Sequence, residues 1–99
     1  MKFDHVAICV SSIIPAIERY EENLGATVEY SDMTWAMLNI GGQKLALTLP
    51  DTHPPHVAFI VNSLNDFPDG CEIKMHRDGS YYTYQRDLFG NVIELIMYP

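Results

Sequence analysis

The chain has 99 residues, 47% of them hydrophobic and 19% charged, with a net charge of −7 at pH 7, the balance of one soluble globular domain. A chain this short buries only about 60–65% of its unfolded surface, which excludes a second full domain and makes a homodimer an expected source of extra burial. Its six basic residues are scattered, arguing against nucleic acid, and no apolar run approaches the roughly 18–20 residues of a membrane span.

A first strand is expected at about residues 3–10. A helix follows, opened by Ser11 or Ser12, with Pro15 in its first turn and Gly25 closing it. Ile13, Ile17, Tyr20 and Leu24 recur at helical spacing and form its expected buried stripe, while Glu18, Glu21 and Glu22 face water. Three strands should come next, near 26–30, 34–39 and 44–49, with Gly41-Gly42 as the turn between the last two. The unit reads β-α-β-β-β.

After the proline-containing loop 50–55 the pattern restarts. His56-Val57-Ala58-Phe59-Ile60-Val61 resembles His5-Val6-Ala7-Ile8-Cys9-Val10 at an offset of 51 residues, and Gly90-Asn91-Val92-Ile93-Glu94-Leu95 resembles Gly42-Gln43-Lys44-Leu45-Ala46-Leu47 at an offset of 48. Self-similarity on this scale indicates two copies of one supersecondary unit, modules 1–50 and 51–99 of a single domain. The shortfall lies in the second helix, where 62–69 leaves room for a turn or two and Pro68 and Gly70 limit it further. The remaining strands are expected near 72–76, 81–87 and 92–98, with Asp78-Gly79 as a turn. The fold class is therefore α+β.

Side chains alternate across a strand, so Val6, Ile8 and Val10 share one face of the first strand and His5, Ala7 and Cys9 the other. In the restart strand Val57, Phe59 and Val61 oppose His56, Ala58 and Ile60; in the last strand Ile93, Leu95 and Met97 oppose Val92, Glu94 and Ile96. Both histidines and the glutamate fall on the face away from the continuous apolar stripe. Taken singly, each is more often a hydrogen-bonded structural group than a ligand. Their matching parity and repeat equivalence favour joint binding of a divalent metal, for which two imidazoles and one carboxylate suit ferrous iron, manganese or zinc. The fourth equivalent position is Ala46, which cannot ligate. His53, in the proline-containing loop, and His76, beside a turn, are read as structural.

Several of these motifs together resemble the vicinal oxygen chelate superfamily, which groups glyoxalase I, bleomycin-resistance proteins and extradiol dioxygenases. They are Asp4-His5-Val6, Tyr20 with Leu24-Gly25, His56-Val57-Ala58-Phe59, Arg77-Asp78-Gly79-Ser80 and the run from Tyr84 to Leu95. The closing run is similar to the family's Asp-Pro-x-Gly-Asn turn and metal-binding Glu, with Leu88 where Pro is usual. The resemblance implies paired βαβββ modules in an open, cupped mixed sheet, here with the second helix much shortened. It also implies a divalent metal at His5, His56 and Glu94. Ala46, where glyoxalase I has a fourth ligand, points to the two-His, one-Glu set of the extradiol dioxygenases. Tyr84, ten residues before Glu94, fits the substrate-contacting Tyr of those enzymes, whereas Gln43 stands where they place an acid-base His, and Gln cannot shuttle a proton.

The expected function is a metal-dependent enzyme on a small substrate with vicinal oxygens, with Tyr84 catalytic and Trp35, Met33 and Met37 as candidate pocket walls or packing residues. The alternative is a non-catalytic, bleomycin-resistance-like dimer that binds a small molecule. Met1-Lys2 leads into Phe3 with no signal-peptide pattern, and Cys9 and Cys71 are too few for a disulfide scaffold, so the expected compartment is the cytoplasm.

Overall fold

Residues 1–99 are all described in the computed structural model, which divides into two units, His5–Pro55 and Met1–Asp4 with His56–Pro99. The first unit holds β1 (Lys2–Cys9) from His5 onward, α1 (Ile13–Leu24), β2 (Thr27–Ser31), β3 (Trp35–Ile40) and β4 (Gln43–Thr48). Its strands run in the order β2-β3-β4-β1, with β4 antiparallel to β3 and parallel to β1. Helix α1 is the crossover that such a parallel pair requires. Ser12 precedes it in extended backbone. Gly25, at φ 66°, ends it in the left-handed region, with the Gly25 N–H donating to the Glu21 carbonyl and the Ala26 N–H to that of Tyr20.

The helix packs Ile13 and Ile17 onto Ala36, Leu38 and Leu47, with Ile8, Val10, Tyr20 and Leu45 around them. Thus the apolar face of β1 lies under the helix, as its alternation predicts. Leu38 and Leu47 are completely buried, each contributing about 1.5–3 kcal/mol by area. Leu24 departs from expectation at 52% exposure. It is the last helical residue, and the Gly25 turn carries Ala26 into the core cluster instead.

The second unit holds β5 (His56–Ile60), a single 3₁₀ turn (Leu64–Asp66), β6 (Lys74–Met75), β7 (Tyr81–Arg86) and β8 (Val92–Met97). Its strand order is β5-β8-β7-β6, again with one parallel pair, β5 and β8, and antiparallel partners beyond. The second helix is reduced to that one turn. It is held by a capping box in which the Asn65 N–H donates to Ser63 Oγ and the Ser63 N–H to Asp66 Oδ2. Val61, Phe67 and Leu95 form the buried cluster under Phe59, Tyr81, Ile93 and Met97. The N-terminal residues belong here too: Phe3 meets Phe59 edge-on at 6.2 Å, and the Tyr98 hydroxyl donates to Asp4 at 2.6 Å.

Pairing registers make the internal repeat concrete. Ala7 faces Ala46 across the parallel pair of one unit, and Ala58 faces Glu94 across that of the other. Ala46 and Glu94 therefore occupy equivalent slots, as do Met37 and Tyr84 on the next strands. The fold class is the expected α+β with paired modules and a shortened second helix.

Candidate metal centre

Strand parity decides what surrounds Glu94. Its neighbours in register are Ala58 on β5 and Tyr84 on β7, so the carboxylate stands between a methyl group and an aromatic ring. It is 1% exposed, and a carboxylate this deep is costly unless charged or polar partners meet it. Two histidines of the same unit do so. His56 Nε2 lies 3.4 Å from Oε1, and His76 Nε2 lies 2.9 Å from Oε2.

The two distances mean different things. A separation of 2.9 Å is an ordinary hydrogen bond; an ionised carboxylate only accepts, so with Glu94 ionised the bond assigns the proton to His76 Nε2. At 3.4 Å the His56 contact is long for a hydrogen bond. It equals the edge between two ligands of a tetrahedral cation, about 3.4 Å for bonds of about 2.1 Å. His56 Nε2 and Glu94 Oε1 are thus spaced as donors to a shared ion, and the donor types fit one.

Of the residues singled out from the sequence, His56, Glu94 and Tyr84 are therefore brought together. The Tyr84 ring lies 5.1 Å from that of His56, tilted by 52°. Burial, the Glu94 charge and the neighbouring Tyr82 push the Tyr84 phenol well above its ordinary pKa, so it stays protonated and keeps a hydrogen to offer to an oxygen. His5 lies in the other unit on β1, 6% exposed and opposite Lys44. Ala46 is also buried, with Met37 opposite it on β3. Gln43 is exposed at the start of β4. Met33 is 74% exposed, and Trp35 stacks on Tyr30 at 4.8 Å, a packing contact.

His76, read from the sequence as structural beside a turn, is the residue whose contact with Glu94 the sequence reading did not anticipate. Its ring stacks on Tyr82 at 3.6 Å and 7°, and its backbone N–H donates to the Ser80 carbonyl at the base of the β6–β7 hairpin. Parity carried the signal: Lys74 pairs with Tyr82, so positions 74 and 76 share the face of Tyr82 and Tyr84, and that face includes Glu94.

The sequence pattern of the Glyoxalase/Bleomycin resistance protein/Dioxygenase superfamily matches residues 2–95. Metallothiol transferases FosB from Staphylococcus haemolyticus and Staphylococcus epidermidis are each 35% identical over 74 residues, 67% of this chain and 52% of theirs. The chain thus spans about half the length of the curated relatives it matches. Among solved structures, methylmalonyl-CoA epimerase from Mycobacterium tuberculosis aligns with a TM-score of 0.74 at 19% identity, over 99% of this chain and 88% of that one. A Streptomyces coelicolor methylmalonyl-CoA epimerase variant in complex with 2-nitronate-propionyl-CoA gives 0.74 at 20% identity, over 99% and 97%. At such identities the likeness is one of fold.

Proposed function

The chain belongs to the Glyoxalase/Bleomycin resistance protein/Dioxygenase superfamily, and from that premise we propose that it is a divalent-metal-dependent enzyme acting on a small substrate with neighbouring oxygens. The metal ligands in this reading are His5, His56 and Glu94, and Tyr84 is the catalytic hydrogen-bond donor. The observation that carries it is the buried His56–Glu94 pair at 3.4 Å, long for a hydrogen bond and a spacing that suits two donors to one cation. His5 enters through its repeat equivalence to His56 and its burial. The three side chains offer two imidazole nitrogens and a carboxylate oxygen, a set suited to ferrous iron, manganese or zinc with positions left for substrate.

Ala46, in the slot equivalent to Glu94, favours this two-His, one-carboxylate set over a four-ligand one, which makes the donor set extradiol-dioxygenase-like rather than glyoxalase I-like. The 35% identity to metallothiol transferases supports the metal itself. Such a cation supplies Lewis acidity toward a substrate hydroxyl or carbonyl. The chain's own residues do the rest. His56 and Glu94 offer one donor atom each at a fixed spacing, and Tyr84, held protonated, donates to the substrate oxygen on which charge develops. With Gln43 in place of an acid-base His, proton movement must involve the substrate or water. Two free thiols, Cys9 and Cys71, suit a reducing cytoplasm, and a homodimer is part of the same reading.

The test is metal uptake by calorimetry and elemental analysis on chelator-stripped protein reloaded with manganese or ferrous iron under anaerobic conditions. One equivalent per chain is expected for the parent and none for Glu94→Gln, which keeps shape and removes the anionic ligand. Absence of uptake by the parent, or equal uptake by the variant, would overturn the reading.

A further inference from the structure

A carboxylate can bind a cation through one oxygen or through both, and a hydrogen bond that holds the second oxygen favours the first mode. Glu94 has such a holder. His76 Nε2–H donates to Oε2 at 2.9 Å, on the oxygen that His56 does not face. The His76 ring cannot swing freely, because it lies flat against Tyr82 at 3.6 Å and 7°, and Tyr82 is in turn wedged edge-on to Tyr84 at 5.3 Å. Its backbone is pinned as well: its N–H bonds to Ser80 and its carbonyl accepts from Gly79, in a turn where Asp78 Oδ1 binds both the N–H and the hydroxyl of Ser80.

We propose that His76 is a positioning residue that fixes Glu94 as a one-oxygen ligand, turning Oε1 toward His56 and withholding Oε2 from the cation. The inference rests on the metal reading above and adds a residue to it. His76 does not itself ligate in this reading, because its Nε2 keeps the proton that it donates in the hydrogen bond to Oε2. Partners of this kind typically change metal affinity by about 10–100-fold when removed.

Two substitutions separate its two contacts. His76→Phe keeps the ring on Tyr82 and removes the donor; His76→Gln supplies an amide N–H and loses the stack. Each is titrated with cobalt(II), following affinity and the visible d–d bands, with the melting temperature of the metal-free protein measured alongside. The expected result is about a 10–100-fold loss of cobalt affinity for His76→Phe. Its bands should also be weaker, as the second oxygen raises the coordination number, and its metal-free melting should stay close to the parent's. His76→Gln should recover most of the affinity and the parent spectrum. Unchanged affinity and spectrum in His76→Phe overturn the proposal while leaving the metal reading intact. So does a loss in both variants that tracks a common fall in melting temperature, which would mark a merely structural role. A parent protein that binds no cobalt overturns both.

Discussion

At the scale of single residues, Asp87 illustrates how a turn is held by one side chain. Its Oδ1 accepts the backbone N–H groups of Phe89 at 2.8 Å and Asn91 at 2.9 Å, and its Oδ2 accepts the Asn91 amide at 3.2 Å. The Asn91 backbone bond leads these in holding the carboxyl below its ordinary pKa, against a smaller opposing push from desolvation. A lowered folded-state value means that the stabilisation is present above the unfolded value of about 3.9 and is lost as pH falls through the folded one. Asp87→Asn is accordingly expected to lower the melting temperature at neutral pH, with a deficit that closes as pH falls below the unfolded value of about 3.9 and through the lowered folded one. Calorimetry over that range checks it, and a deficit independent of pH would contradict the ionic origin. Leu88, within the same turn, is 99% exposed, so its side chain adds no burial there. The contrast between His56 and His76 shows the limit of reading residues singly. His56 is conspicuous because a second His sits at the matching place in the repeat; His76 has no such counterpart, and only the register of Lys74 with Tyr82 and the stacking of its own ring on Tyr82 identify its face.

Among the elements, α1 ends where a backbone shape is required. Gly25 stands at φ 66°, and a Cβ there would meet nothing within 4 Å, so Gly25→Ala meets backbone strain without a clash. A cost of about 1 kcal/mol follows, or about 4–8 °C in melting temperature, readable by circular dichroism. A fall well outside that range would mean that the cap does more than reverse the chain. Most elements were legible in the sequence because apolar alternation, the Gly41-Gly42 turn and the Gly25 stop each have a local physical cause. The His and Glu face was harder to weigh. Histidine and glutamate are residue types usually found at a surface, whereas Ala7, Ala58, Tyr82 and Ile96, which share their parity, are all buried. Strand β6 contracted to two residues because Glu72 and Ile73 find no ladder partner, which is decided by long-range pairing rather than by local preference.

For the whole molecule, association is the question that size and edges raise. Strand β2 ends the sheet of its unit with all five residues exposed, Val28 and Tyr30 among them, and it carries a bulge between those two positions. An open edge of this kind is covered in most proteins by charge, by a bulge or by a partner. Sedimentation equilibrium at micromolar concentration is expected to show a dimer, and one that tightens with salt because two chains of charge −7 repel. Monomer alone at both low and high salt would refute it. No helix is long and apolar enough to cross a membrane. A different consequence attaches to the turn at Asp78–Ser80. Every bond that pins the His76 backbone spans five residues or fewer, and hairpins of such local origin close in about 1–10 µs. The parallel neighbours Ala58 and Glu94 are 36 positions apart (94 − 58) and must await a much slower loop closure. On these spans alone, the turn that pins His76 needs only its own neighbourhood to close, whereas the strand that brings His56 beside Glu94 has to find β8 across a far longer stretch of chain.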